Sequence, residues 1–166
     1  DGTAWRREAR EIFSRAGCRR IGDLEGGDDH DGFPIRLDNG ESILVSHPRP
    51  AGSPRAVFHM DVGRAAAQTL LRLPKSRRPD GLLLQDDYLA AGFTQQLRES
   101  EGYRPSLAVL THIQNPLPYA LPILQFEVDI SEMSRLCVAI LLARLRNPTL
   151  PGHVDSVVPR LVAPAS

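Results

Sequence analysis

The sequence predicts an α/β fold in three layers, in which a parallel sheet carries helices on both of its faces. The apolar runs at residues 82–84 and 107–110 are uninterrupted, as strands buried on both faces of a parallel sheet require. Segments with apolar residues at helical spacing alternate with these runs. The connections between them are short, which is typical of a chain that crosses back and forth over one sheet.

The composition indicates one soluble globular domain. The chain has 166 residues, and its 20 Lys and Arg residues balance its 20 Asp and Glu residues. A net charge of zero argues against direct binding to nucleic acid or anionic lipid. No apolar run approaches the roughly 20 residues of a membrane-spanning helix, so no membrane partner is expected. Cys18 and Cys137 lie within apolar patterns, and we expect them to be reduced and buried.

The first segments are predicted to be a helix, a strand and a loop. Apolar side chains at helical spacing predict a helix over residues 3–16, which Gly17 is placed to end. Residues 19–24 are typical of a short strand. Residues 25–31 are polar and rich in Gly and Asp, so they predict a loop.

Residues 25–55 are predicted to be an irregular, loop-rich part of the domain. Only residues 43–45, between a turn signal and a proline-rich stretch, predict a strand there. Val57 and Phe58 are then predicted to end a strand. Asp61 is predicted to cap the helix that follows.

Two further strand and helix units complete the sheet. The strand at residues 82–84 leads into a helix that begins near Tyr88, and the strand at 107–110 follows. Residues 123–128 predict another strand, and residues 156–162 predict the last one.

A long helix lies between these last two strands. Asp129 and, three residues later, Glu132 form a capping-box pattern that opens it. Its apolar residues cover more of the helix surface than one sheet face needs. We therefore expect a partner, a second copy or a domain swap to cover it.

Candidate binding residues follow two of the predicted strands. Ligands of parallel sheets gather at the carboxyl ends of the strands, where Asp86 and Asp87 follow one strand and Thr111, His112 and Gln114 follow the next. A carboxylate there suits a hydroxyl-rich ligand, because it accepts strong hydrogen bonds. The alternatives are that one aspartate only caps a helix and that the other three residues are ordinary loop polarity.

Signals of catalysis and of metal binding are weak. Asp28, Asp29, His30 and Asp31 offer metal-binding groups, but consecutive residues point in different directions, which favours a solvated loop. No nucleophile elbow and no phosphate-binding glycine loop is present. We therefore predict a binding protein without a cofactor, a metal or an enzymatic activity.

Three stretches of the chain resemble a known family. Residues 78–92 read Arg-Pro-Asp-Gly-Leu-Leu-Leu-Gln-Asp-Asp-Tyr-Leu-Ala-Ala-Gly, similar to the family's Pro-Asp-Ala-Ile-Phe and Asn-Asp-x-Met-Ala-x-Gly. Residues 1–21 and the closing segments from residue 107 onward are also similar. The family is the effector-binding domain of bacterial regulators of the lactose and galactose repressor type, which shares its fold with periplasmic sugar-binding proteins.

The resemblance implies an incomplete periplasmic binding protein type I fold. Residues 1–128 match its C-terminal subdomain, and residues 129–149 match a helix that packs on the other subdomain in the family. Residues 150–166 match a terminal strand that returns to the sheet. Because the chain starts at Asp1 without an initiator methionine, we expect it to be part of a longer protein.

The resemblance also implies a function and site residues. Asp87 matches the acceptor of a ligand hydroxyl, and Phe58 matches an aromatic residue that packs on the ligand. By this resemblance, the protein is a dimeric sensor in the cytoplasm that binds a polar, sugar-like effector. It closes by a hinge and contacts DNA only through an upstream domain. One alternative is a periplasmic-type solute-binding domain of a transport system. A more remote one is a hydrolytic enzyme that uses Asp86, Asp87 and His112.

Overall fold

A computed structural model describes residues 3–24, 32–112, 117–152 and 155–162 of the chain. Its strands are β1 (Ile21–Leu24), β2 (Gly32–Leu37), β3 (Ser42–Ser46), β4 (Gly81–Leu84), β5 (Ser106–His112), β6 (Leu124–Val128) and β7 (Arg160–Val162). Its helices are α1 (Ala4–Arg15), α2 (Arg55–Arg72), α3 (Asp87–Arg98) and α4 (Ile130–Arg146), with a short 3-10 turn at Lys75–Arg77.

The seven strands form one sheet in the order β3-β2-β1-β4-β5-β6-β7. The central pairs β1–β4, β4–β5 and β5–β6 are parallel, whereas β2 pairs with both neighbours, and β7 with β6, in antiparallel fashion. The predicted α/β class is confirmed, but the sheet is mixed rather than wholly parallel. A short turn joins β2 to β3, and such a turn permits only antiparallel pairing.

The hairpin of β2 and β3 occupies the part that was predicted to be irregular. β3 confirms the strand predicted at residues 43–45, whereas β2 was missed. Phe33, Ile35 and Leu37 of β2 are buried and alternate with less buried residues, as in an ordinary strand. Pro34 in the middle of this alternation obscured the signal, because proline is uncommon inside sheets.

The predicted start of the second helix was wrong. Phe58 does not end a strand, and Asp61 does not cap the helix, because α2 begins at Arg55 directly after Pro54. Proline suits the position directly before a helix, because its fixed φ is allowed there and its missing N–H is not needed for a helical hydrogen bond. Asp61 lies inside α2 and forms an ion pair at 2.8 Å with Arg64, one turn further on.

Helices cover both faces of the sheet, as predicted. α2 and α3 pack on one face, over a core that includes Leu82, Leu84 and Phe93. α1 packs on the other face, where Trp5 and Phe13 lie against side chains such as Leu83 and Phe126. β4 thus sends alternate leucines to opposite faces of the sheet.

Two glycines let α2 and α3 approach each other closely. A methyl group at Gly92 would overlap the carbonyl oxygen of Met60 and lie 2.7 Å from its carbonyl carbon. A methyl group at Gly63 would overlap the carbonyl oxygen of Leu89 and lie 2.8 Å from the backbone nitrogen of Phe93. The helix backbones themselves are in contact, so this packing has no room for a side chain at either position.

Helix α4 is not part of the packed layers. Asp129 caps it as predicted, with its Oδ1 accepting a 3.0 Å hydrogen bond from the N–H of Glu132. None of its residues is buried, and Cys137, which was predicted to be buried, is exposed because nothing described packs closely against its helix. Cys18 is half-buried. The last strand is also shorter than the predicted 156–162, since only Arg160–Val162 pair with β6.

Candidate functional site

Asp86 directly precedes helix α3, at the edge of the sheet where the parallel strands end. Its Oδ1 accepts hydrogen bonds from the backbone N–H groups of Tyr88, at 2.9 Å, and Leu89, at 3.0 Å. Its Oδ2 lies 3.1 Å from Nδ1 of the buried His59. Burial disfavours the charged carboxylate, but the hydrogen bonds from His59 and Leu89 outweigh burial and lower the pKa of Asp86. Asp86 thus caps α3, and its ligand-binding role stays a prediction.

Asp87 is buried in the first turn of α3 and is only 3% exposed. Its Oδ1 accepts a 2.7 Å hydrogen bond from the hydroxyl of Tyr119. Its Oδ2 lies 2.9 Å from Nδ1 of His112. Because a carboxylate only accepts hydrogen bonds, the imidazole donates through Nδ1. Two donors from separate segments thus compensate the burial of this carboxyl group.

His112 and Thr111 extend strand β5 beyond its predicted end. They continue the pairing with β6, where Thr111 lies opposite Glu127 and His112 lies opposite Val128. Thr111 is buried, and its hydroxyl lies close enough to the Tyr119 phenol to act on its pKa. Burial raises the pKa of the Tyr119 phenol, and its hydrogen bond to Asp87 raises the pKa further. The phenol therefore keeps its proton and remains a hydrogen-bond donor.

Phe58 lies in the core beside His59 and is only 1% exposed. Its ring contacts that of Phe33, with 5.6 Å between centroids, and stacks on His47 at 5.9 Å. The guanidinium of Arg49 lies 5.4 Å from the centroid of the same ring. The chain itself covers Phe58, and the ligand contact that the resemblance implies for this residue stays a prediction.

A groove with a volume of about 370 Å³ adjoins this edge of the sheet. Met60, Tyr88 and Ala91 line it on the side of α2 and α3, and Leu117 and Tyr119 line it on the opposite side. Tyr119 lines the groove and also donates the hydrogen bond to Asp87. A molecule in the groove would therefore touch the residue whose hydroxyl reaches the buried carboxylate.

Four of the five predicted site residues come together, and Phe58 adjoins them through its chain neighbour His59. We call the polar group the strand-end cluster; it consists of His59, Asp86, Asp87, Thr111, His112 and Tyr119. The ligand-binding roles of the predicted residues stay predictions. Gln114 lies outside the described residues.

Two members of the strand-end cluster were missed from the sequence. The sequence predicts His59 to be an isolated histidine, because its neighbours were assigned to a strand end and the first turns of α2 were hidden. Tyr119 lies in a proline-rich stretch without periodicity. The one feature that could have marked it as a site residue is its phenolic hydroxyl, between Pro118 and Pro122. Its partner Asp87 is 32 positions away in the chain.

The described part of the chain holds no group of three His, Cys, Asp or Glu side chains that could bind a metal ion. The acidic run at Asp28, Asp29, His30 and Asp31 lies outside the described residues, so its two interpretations stay open. No described helix is both long enough and apolar enough to cross a membrane.

The fold and the strand-end cluster together define a class of protein. Polar side chains from separate segments meet where parallel strands end, which is the usual ligand site of open α/β sheets. The chain belongs to the family of periplasmic binding protein-like domains, whose model matches residues 11–166. It is thus a ligand-binding domain. The family match also agrees with the predicted α/β fold of the periplasmic binding protein type. No curated protein and no solved structure matches the chain.

Proposed function

We propose that this chain is the effector-sensing part of a bacterial transcription regulator of the lactose and galactose repressor type, acting in the cytoplasm. Its role is to bind a small, polar, sugar-like molecule at the strand-end cluster, without chemical conversion, and to relay the event by hinge closure. The observation that carries the proposal is the convergence of hydrogen-bonding side chains on Asp87 in a ligand-binding family. The motif at residues 78–92 supports the choice of regulator.

A solute-binding domain that feeds a transporter is the second candidate, because the family match is equally compatible with it. The two candidates differ in one property that can be measured. The natural protein that contains these residues binds duplex DNA as a dimer if it is a regulator, whereas a transport protein does not bind DNA.

The isolated chain itself should show no measurable binding to duplex DNA at physiological salt. Its net charge is zero, and the arginines of α1 are partly neutralised: Arg10 lies 3.0 Å from Asp38, and Arg6 and Arg10 lie 3.7 and 3.6 Å from Asp23. Fluorescence anisotropy with a labelled duplex measures this. Salt-sensitive binding with a dissociation constant below about 10⁻⁴ M, the non-specific range, would contradict the prediction that DNA is contacted only through an upstream domain.

We further propose that a second copy of this chain covers helix α4. Val138, Leu141 and Leu145 repeat at intervals of three and four residues along one face, and Leu145 is 69% exposed. The resemblance to a family of dimeric regulators favours a second copy of the chain as the occupant of this face, in a symmetric pair.

The dimer is tested by exchanging one exposed leucine for a charge. We expect the parent chain to be dimeric at micromolar concentrations in light scattering and Leu141→Asp to be monomeric, because a carboxylate cannot be buried unpaired in the contact. Val57→Asp is the matched control and should stay dimeric, since Val57 of α2 is an apolar residue of similar exposure, 50% against 58% for Leu141. A monomeric parent chain would contradict the dimer and leave another subdomain as the cover of α4.

A further inference from the structure

The buried carboxylate of Asp87 and the imidazole of His112 differ greatly in accessibility. Asp87 is 3% exposed, and both of its oxygens are engaged, one by Tyr119 and one by His112. The side chain of His112, in contrast, is 46% exposed. A ligand arriving at this edge of the sheet therefore meets the imidazole before it can reach the carboxylate.

The bond to Asp87 also determines what the imidazole presents to a ligand. Because Nδ1 keeps its proton and donates a hydrogen bond to the carboxylate, the neutral ring carries no proton on Nε2. Nε2 lies on the side of the ring away from Asp87 and is a hydrogen-bond acceptor. The buried carboxylate thus fixes both the orientation and the tautomer of an exposed side chain, as a carboxylate does behind a metal-binding histidine.

The charges around His112 select among ligands. Asp87 contacts the imidazole directly, Tyr119 donates to the other oxygen of the same carboxylate, and the adjacent Asp86 is paired with His59 of α2. The strand-end cluster, as far as the structure describes this part of the chain, holds two carboxylates and no Lys or Arg, so it repels a phosphate or a carboxylate ligand. A neutral molecule with hydroxyl groups faces no such repulsion.

We infer that His112 is the specificity-determining contact of this site, that Asp87 is the residue that positions it, and that Nε2 accepts a hydrogen bond from a hydroxyl group of a neutral polyol. The inference rests on the proposed ligand-binding function and names the contact through which it acts. It also changes the role expected for Asp87, which acts on the ligand through His112 rather than by direct contact.

The first test needs no ligand. Nitrogen-15 NMR of the imidazole in the full chain reports which ring nitrogen carries the proton. We expect the Nδ1–H tautomer of His112 in the neutral ring. A predominant Nε2–H tautomer would overturn the inference, because Nε2 would then be a donor and Asp87 would not be the positioning residue.

The second test measures binding by calorimetry of the full chain with D-galactose, D-ribose and myo-inositol as neutral probes and D-ribose 5-phosphate as the anionic probe. We expect a neutral probe to bind more tightly than the phosphate. His112→Ala should weaken binding by a factor of about 3 to 10, the scale of one neutral hydrogen bond. His112→Gln, which retains an acceptor oxygen, should restore part of the affinity, and Glu99→Ala, beyond the far end of α3, should leave it unchanged.

A double-mutant cycle separates positioning from direct contact. If Asp87 acts through His112, Asp87→Asn weakens binding in the parent chain but adds nothing in the His112→Ala background. Independent, additive losses would show that Asp87 touches the ligand itself and would overturn its positioning role. Unchanged affinity in His112→Ala, or tighter binding of the phosphate, would overturn the inference while a ligand-binding function stands. Absence of binding by every probe would instead reject the proposed sugar-like ligand, and the inference with it.

Discussion

Replacing Gly92 by alanine is expected to lower the free energy of unfolding by about 2–4 kcal/mol, through overpacking against a backbone that cannot move aside easily. Alanine at an unconstrained helix position stabilises a protein relative to glycine by about 0.5–1 kcal/mol, so the expected sign is the reverse of the intrinsic preference. The reversal follows from the overlap of the new methyl group with the carbonyl oxygen of Met60. Urea unfolding followed by circular dichroism measures the change.

Two further variants make this prediction specific. Gly63→Ala should destabilise the fold to a similar extent, because its methyl group would overlap the carbonyl oxygen of Leu89 on the same helix pair. Gly152→Ala is the control, since a methyl group there meets only a side-chain nitrogen of Arg144 at 3.7 Å. Equal or greater stability of Gly92→Ala would show that α2 and α3 are not in backbone contact.

Replacing Asp87 by asparagine is expected to destabilise the fold by about 1.5–3 kcal/mol, the cost of losing hydrogen bonds to a charged group. The side chains have the same shape, but asparagine offers one acceptor oxygen and one donor amide, whereas Tyr119 and His112 both donate to Asp87. One of the two donors then faces the amide N–H of asparagine, so either the Tyr119 hydroxyl turns away or the imidazole changes its tautomer. Ligand affinity should also fall, because His112 loses its fixed orientation. Urea unfolding gives the first effect and calorimetry gives the second.

Asp86→Asn provides a matched control for that change. It is the same substitution one residue earlier, but Asp86 caps a helix, and asparagine caps about as well as aspartate. We expect a cost of at most about 1 kcal/mol, from the weakened contact with His59. If Asp86→Asn were as damaging as Asp87→Asn, the two carboxylates would not have the separate roles that the structure assigns to them.

Local signals in the sequence determined most of the helices and strands. The apolar run at residues 82–84 identified β4, and the capping pattern of Asp129 and Glu132 identified the start of α4. Such signals depend on residues within one or two turns of each other, so a single sequence contains them. The same reasoning placed Asp86, Asp87, Thr111 and His112 at strand ends, and the structure brings these residues to one edge of the sheet.

Long-range packing decided what the local patterns could not. The antiparallel course of β2 and β7 depends on which strands become neighbours, and the burial of Asp87 depends on Tyr119, 32 positions away in a stretch without periodicity. The sequence by itself therefore determined the α/β class, the family resemblance and the candidate carboxylates. Only the tertiary structure decided that Asp87 is enclosed and that His112 is exposed, because burial and hydrogen-bond partners arise from contacts between segments far apart in the chain.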